Sequence, residues 1–279
     1  MTTTTTRPLI DGQLELDGRR YHYLTAGAGS PMLVLHGIMG VAHEWDTLST
    51  EMARDHRVVA LDQRGHGESD WADTYTADAM ADDAIAVIER LDLAPVRLIG
   101  HSMGGMAGML VAARRPVLVE RLVLVDIAPD SLREELSAGL VEWLQMLHHS
   151  SYSTVAEAAA VWAEGNALAR LSLLRHYARH NLVPGPDGRL RWRFDTARVG
   201  TFVTEGVTSA ELWTAVDSIQ APTLLVRGAH SWAVQPEDAR VLLWRLADGT
   251  YAEVADGGHD LGVEQPEAVA AAVRSFLAG

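Results

Sequence analysis

Val96-Arg97-Leu98-Ile99-Gly100-His101-Ser102-Met103-Gly104-Gly105 is the stretch on which the fold turns. A short apolar run, read as a strand, passes directly into Gly-x-Ser-x-Gly and then into an apolar helical segment from 103 to about 115. Glycine at 100 and 104 lets the backbone turn tightly between the two elements, so that the Ser102 hydroxyl stands clear of the sheet. The first amides of the helix then point toward any oxygen that develops charge there. The string alone is weak evidence. A strand before it and a helix after it give the context that a nucleophile elbow requires.

Outward from this elbow, further short apolar runs lie at 32–35, 58–61, 122–125, 223–226 and 251–254, with helical patterns between most of them. Such alternation predicts an α/β chain with a largely parallel sheet. Upstream, 13–16 and 20–24 flank Asp17-Gly18, a turn-forming pair, and predict an antiparallel hairpin on the sheet edge. With the hairpin, eight strands are expected. From about 129 to 217 the alternation stops: Leu136-Leu140-Leu144-Leu147 and 167–178 are helical in spacing, Pro184-Gly185-Pro186-Asp187-Gly188 reads as a turn, and no sheet strand is expected. The organisation expected is therefore a core of 1–129 and 218–279 carrying a helical cap at 130–217. Trp143, Trp162, Trp192 and Trp213 give the cap more aromatic surface than a connector needs, and some of it should line a pocket over the sheet.

Size and composition set the outer limits. A chain of 279 residues, 48% hydrophobic, buries a large core. Its net charge of -14, without a basic run, speaks against nucleic acid or an anionic membrane as partner and leaves a small-molecule substrate as the expectation. There is no cysteine, which excludes disulfides, thiolate metal sites and a cysteine nucleophile. No stretch has the apolar length of a signal peptide or a membrane span, so a cytoplasmic location is expected.

Serine is a poor nucleophile at its own pKa and calls for a base and a group that holds the base. His259 is the best base: it follows the run ending at Val254 through Ala255-Asp256-Gly257-Gly258, which places it on a loop at the same sheet edge as Ser102. The orienting acid should also stand at a strand end, and Asp126, directly after 122–125, meets that condition. Asp238, another acid or a weakened dyad is the alternative, although Asp238 and Glu237 follow Pro236 in what reads as the first turn of a helix, where acids are favoured anyway. For the oxyanion, the amide of Met103 provides one donor and that of Ile38, in the loop His36-Gly37-Ile38-Met39-Gly40, the second. His36 and His101 read as loop braces.

Two other patterns are set aside. Asp62-Gln63-Arg64-Gly65-His66-Gly67-Glu68-Ser69 lacks both Gly-x-Gly-x-x-Gly and Gly-Lys-Ser/Thr, so it reads as a structural loop in which Arg64 pairs with Asp62 or another carboxylate. The pairs His148-His149 and His176/His180 show no His-Glu-x-x-His pattern and no third ligand, so a solvated surface and no metal are expected.

With these strings in hand, the chain resembles an α/β-hydrolase from the edge hairpin near 13 to the end of the last helix near 277. The resemblance rests on His36-Gly37 before Gly40, the 62–69 loop, Gly100-His101-Ser102-Met103-Gly104-Gly105, Val125-Asp126-Ile127-Ala128-Pro129, Pro222-Thr223-Leu224-Leu225-Val226-Arg227-Gly228 and Gly258-His259. It implies a cap inserted after the sixth strand and a serine, histidine and acid triad without cofactor. Most similar members carry the acid a few residues beyond the glycine of the seventh strand, at the position matched here by Trp232. An indole cannot hold an imidazolium electrostatically, and the departure shifts the role to Asp126, which matches the alternative acid site of some members. The resemblance implies hydrolysis of a small, largely apolar ester or lactone through an acyl-enzyme, with Trp232 and the cap aromatics lining the pocket. Cofactor-free carbon–carbon cleavage or ring-cleaving oxygenation driven by His259, and a noncatalytic binder, are the alternatives.

Overall fold

The computed structural model describes residues 8–131 and 133–279, with the side chains at 134–136 outside that description. Met1 to Arg7, where no leader was expected, and the side chain of Leu136 therefore fall outside it. Eight strands form one sheet: β1 (Ile10–Leu16), β2 (Arg19–Ala26), β3 (Ser30–Leu35), β4 (His56–Leu61), β5 (Val96–His101), β6 (Val119–Val125), β9 (Thr223–Gly228) and β10 (Gly249–Val254), in the order β1-β2-β4-β3-β5-β6-β9-β10. Only β2 runs against its neighbours, β1 and β4; the other pairs are parallel. The central strands are buried on both faces, which is why they read as continuous apolar runs rather than alternating ones.

Helices cover both faces. Ala77–Arg90, Met103–Arg114, Ser209–Val216 and Pro236–Arg245 pack on one, around Leu33, Leu98, Met106, Leu122 and Leu225. Asp46–Met52 and Pro266–Ala278 pack on the other, around Val34, Ile99, Val123 and Val226. This is the α/β-hydrolase fold.

Between β6 and β9 the chain forms the helices Glu134–His148, Val155–Gly165, Leu171–Asn181, Thr201–Thr204 and Ser209–Val216. It also contains a feature that the helical reading missed, a two-stranded ribbon of β7 (Leu182–Pro184) and β8 (Leu190–Trp192) closed by the Pro184–Gly188 turn. A third apolar cluster gathers Leu144, Leu147, Leu174, Tyr177, Trp192 and Phe194 from this segment with Met39 and Val41 of the loop after β3. The Tyr177 hydroxyl and Asn181 Nδ2 both donate to the Met39 carbonyl, at 2.7 and 2.6 Å. Apolar burial and two buried hydrogen bonds thus fix the segment to the loop that contains Ile38. Among the described residues, no helix is long and apolar enough to cross a membrane.

Candidate active site

Parallel strands deliver their carboxyl ends to one edge, and the loops after β3, β5, β6, β9 and β10 converge there. Ser102 follows β5 at φ 49°, ψ -118°, a strained conformation for a residue with a Cβ. Glycine makes the turn possible: a Cβ on Gly104 would lie 2.5 Å from the Leu35 carbonyl oxygen, and one on Gly100 would lie 2.4 Å from that of Gly104. Met103, as the first residue of its helix, has an amide with no carbonyl one turn back to accept it. Across from it, Ile38 lines the cavity, while the Met39 amide is already taken, donating to His66 Nε2 at 3.2 Å.

His259 joins the pieces. Its Nε2 lies 3.1 Å from Ser102 Oγ and its Nδ1 2.8 Å from Asp126 Oδ2. Asp126 is fully buried at φ 48°, and its amide donates to the Val226 carbonyl at 2.7 Å. The Gly228 amide donates to its Oδ1 at 2.9 Å, and the Ser231 hydroxyl donates to its Oδ2 at 2.5 Å. With an acceptor at Nδ1, His259 carries its proton there and keeps the Nε2 lone pair facing the serine. Burial disfavours the imidazolium, but the hydrogen bond and charge of Asp126, with Asp260 and Glu264 further off, outweigh it and hold the pKa above the ordinary histidine value. Trp232, half-exposed, sets its ring 4.5 Å from the imidazole and covers it from solvent.

The other nearby histidines are placed as braces. His36 receives the Gln63 amide at 3.0 Å and its Nδ1 faces the Gly37 carbonyl, while His101 Nε2 donates to the His259 carbonyl at 2.9 Å. Burial lowers the pKa of His36, of His66 (to about 3) and of His101, which favours the neutral imidazole in each. Arg64 pairs with Asp83 at 2.5 and 2.6 Å, not with Asp62, which instead faces His22 Nδ1 at 2.7 Å. Asp238 is remote from His259: it accepts the Gln235 amide at the start of Pro236–Arg245 and pairs with Arg133.

A cavity of about 330 Å³ opens over Ser102 and His259. Its walls include Ile38, Ile127, Leu140, Trp143, Trp162 and Trp232, with Ser131, Asn166 and Asp260 as polar points. Three of the five tryptophans named from the sequence thus face it. Trp192 does not: it stands behind Trp162, ring centroids 5.0 Å apart, and packs on Tyr152. Trp213 lies elsewhere, donating to Asp130 at 3.0 Å beneath the Arg245 guanidinium.

Sequence reasoning passed over Ser231 and Glu44. Ser231 had a signal in its place beside Trp232, in the loop after β9 where the resemblance would have put the acid. The Glu44 side chain is largely covered, 3.9 Å from His101 Nδ1, and its desolvation with the charge of Asp260 pushes its carboxyl up to about 8.

Comparisons with known proteins agree with this architecture. The α/β-hydrolase fold family model matches residues 30–266. An esterase of Mycobacterium tuberculosis is 30% identical over 258 residues, covering 90% of this chain and 84% of that protein. A solved structure of the M. tuberculosis esterase superposes with a TM-score of 0.82 at 26% identity over 97% of this chain and 92% of that one. An sn-1-specific diacylglycerol lipase of Mus musculus is 29% identical over 268 residues, 92% of this chain and 84% of the lipase. E-2-(acetamidomethylene)succinate hydrolase shares the fold with a TM-score of 0.87, at 24% identity and with 98% and 100% of the two chains covered. The elbow, the sheet order and the family match over most of its length place the chain in the α/β-hydrolase family.

Proposed function

We propose that this chain is a carboxylic ester hydrolase that works through an acyl-enzyme on Ser102, with 130–217 as a helical cap over the site. The observation that carries the reading is the hydrogen-bonded series Ser102, His259, Asp126 at the base of an apolar cavity. The esterase and lipase names of the relatives support ester cleavage in general.

In this reading Ser102 Oγ attacks the ester carbonyl as its proton passes to His259 Nε2. Asp126 keeps the ring oriented and stabilises the imidazolium that forms. The amides of Met103 and Ile38 hold the tetrahedral oxyanion. His259 then gives the proton to the leaving alkoxide, activates a water for attack on the acyl-enzyme, and returns a proton to Ser102 as the acid leaves.

The cavity favours a small, largely apolar ester or lactone. Its volume is near the lower end for small-molecule sites, and three indoles with Ile38, Ile127 and Leu140 leave few partners for charge. Steady-state rates on aryl and alkyl esters, lactones and charged esters test both parts. Short apolar esters and lactones should be preferred, and Ser102→Ala should lower kcat by at least about 10³-fold. Preference for a strongly charged ester contradicts the substrate class. Substantial turnover by Ser102→Ala contradicts the serine mechanism and returns weight to chemistry in which His259 acts alone as base.

A further inference from the structure

Away from the catalytic cavity, four side chains that are distant in sequence converge where the core meets the helix Leu171–Asn181. His43 lies in the one-turn helix Ala42–Trp45, and Asp46 opens the helix that follows. His176 and His180, four apart, share one face of Leu171–Asn181. The three imidazoles have ring nitrogens within 4.8 Å of one another. The His43 and His180 rings stack with centroids 3.6 Å apart, and His176 lies 4.7 Å from His180. Asp46 Oδ2 bridges the group, 3.0 Å from His43 Nδ1 and 2.8 Å from His176 Nε2.

From this geometry we propose a divalent transition-metal site, of the zinc type, with His43, His176 and His180 as its ligands and Asp46 as the carboxylate that orients His43 and His176. Three imidazole nitrogens form a donor set suited to tetrahedral Zn²⁺, with the fourth position left to water. Bonds of about 2.0–2.1 Å place tetrahedral ligand atoms about 3.3 Å apart. The three nitrogens lie within 4.8 Å of one another, and the stacked His43 and His180 rings must turn out of their stack to reach that spacing. All four side chains are partly exposed, so an ion enters from solvent without opening the core. The sequence did not suggest the site because the His176/His180 pair lacks a third ligand in its own segment; the fold brings His43 and Asp46 from the opposite side.

The bound ion would clamp Leu171–Asn181 to the segment after β3. That helix already holds the Met39 carbonyl through Tyr177 and Asn181, next to Ile38, so the clamp stiffens the seam between the cap and the oxyanion loop. The role is structural, since the site makes no contact with Ser102.

Titration of the chelator-treated full chain with Zn²⁺, followed by calorimetry and thermal unfolding, tests the site. One equivalent should bind, and a hundredfold excess over Kd should raise Tm by about 5 °C or more. His43→Ala and His180→Ala should each weaken binding at least about tenfold, and the double variant should abolish the Tm shift. The metal-free Tm of each variant, and Asp46→Asn as a milder substitution, separate ligand loss from misfolding. Co²⁺ added in place of Zn²⁺ should give the intense visible absorption of a tetrahedral site, lost in the double variant. Failure of wild type to bind Zn²⁺ overturns the proposal. So does unchanged binding in the variants, which would move the ion to the His101, His259 and Asp260 group beside Ser102.

Discussion

Ser231 Oγ donates a 2.5 Å hydrogen bond to Asp126 Oδ2, the oxygen that also receives His259 Nδ1 at 2.8 Å. The same serine accepts the amides of Ala233 and Val234 at 3.1 and 2.9 Å, so its orientation is fixed from both sides. The loop after β9 therefore serves a carboxylate on the end of β6. Together with the Gly228 amide it gives each oxygen of Asp126 a donor within its own loop system, while Trp232 shields the imidazole. A buried carboxylate with several donors is held in one orientation, which is what a base-orienting acid needs.

Replacing Asp126 with asparagine should lower kcat/KM for an activated ester by about 10³–10⁴-fold, because the amide favours the wrong imidazole tautomer. Asp238→Asn should leave kcat/KM within twofold. Side-by-side steady-state assays check the pair, and the reverse order of effects would move the acid to the β9 loop.

Ser231→Ala removes one donor from the carboxylate without touching the histidine. An outer hydrogen bond of this kind is worth about tenfold in activity, and its loss leaves buried groups short of a partner at about 1–2 kcal/mol. We expect kcat to fall with little change in KM and the acidic limb of the pH profile to move; Ser231→Thr, which keeps the hydroxyl, should recover most of the rate.

The pH profile of kcat/KM follows His259, which must be neutral at Nε2 to accept a proton. Its pKa lies above the ordinary 6.5, so activity should rise through neutral pH with a midpoint above that value. In Asp126→Asn the larger contributions that raise it are lost while burial remains, and the midpoint should fall. A residual profile that shifts upward would contradict this.

Glu44 should govern the alkaline decline of stability. Its carboxyl titrates near 4.5 in the unfolded chain and at about 8 in the folded one, so between those values only the unfolded state releases the proton. The stability present below pH 4.5 is lost as pH rises toward 8. Glu44→Gln removes that dependence and should gain on wild type by on the order of 2–3 kcal/mol between pH 5 and 8. Urea unfolding at both pH values measures it; parallel losses in the two proteins would show that Glu44 does not carry the effect.

The sheet was legible because its central strands, buried on both faces, are unbroken apolar runs that end in Gly, His or Asp at the site edge. Ser102, His259 and Asp126 could be named for the same reason, as chemistry-bearing residues at strand ends. The ribbon of β7 and β8 escaped because three-residue strands have no readable period, although its turn was visible. Composition marked residues 130–217 as rich in aromatics but could not orient Trp192 and Trp213 away from the cavity. Ser231 and His43 show a different limit: each acts on a partner from another segment, and only the fold brings the two together.

The decisive measurement is intact mass after brief exposure to a fluorophosphonate and to a reactive ester, for wild type and Ser102→Ala, with product release followed in parallel. A single adduct on wild type, mapped to Ser102 and absent from the folded variant, together with turnover of the ester, is the expected result. Turnover without any adduct, or an adduct that persists in Ser102→Ala, would contradict an acyl-enzyme on Ser102.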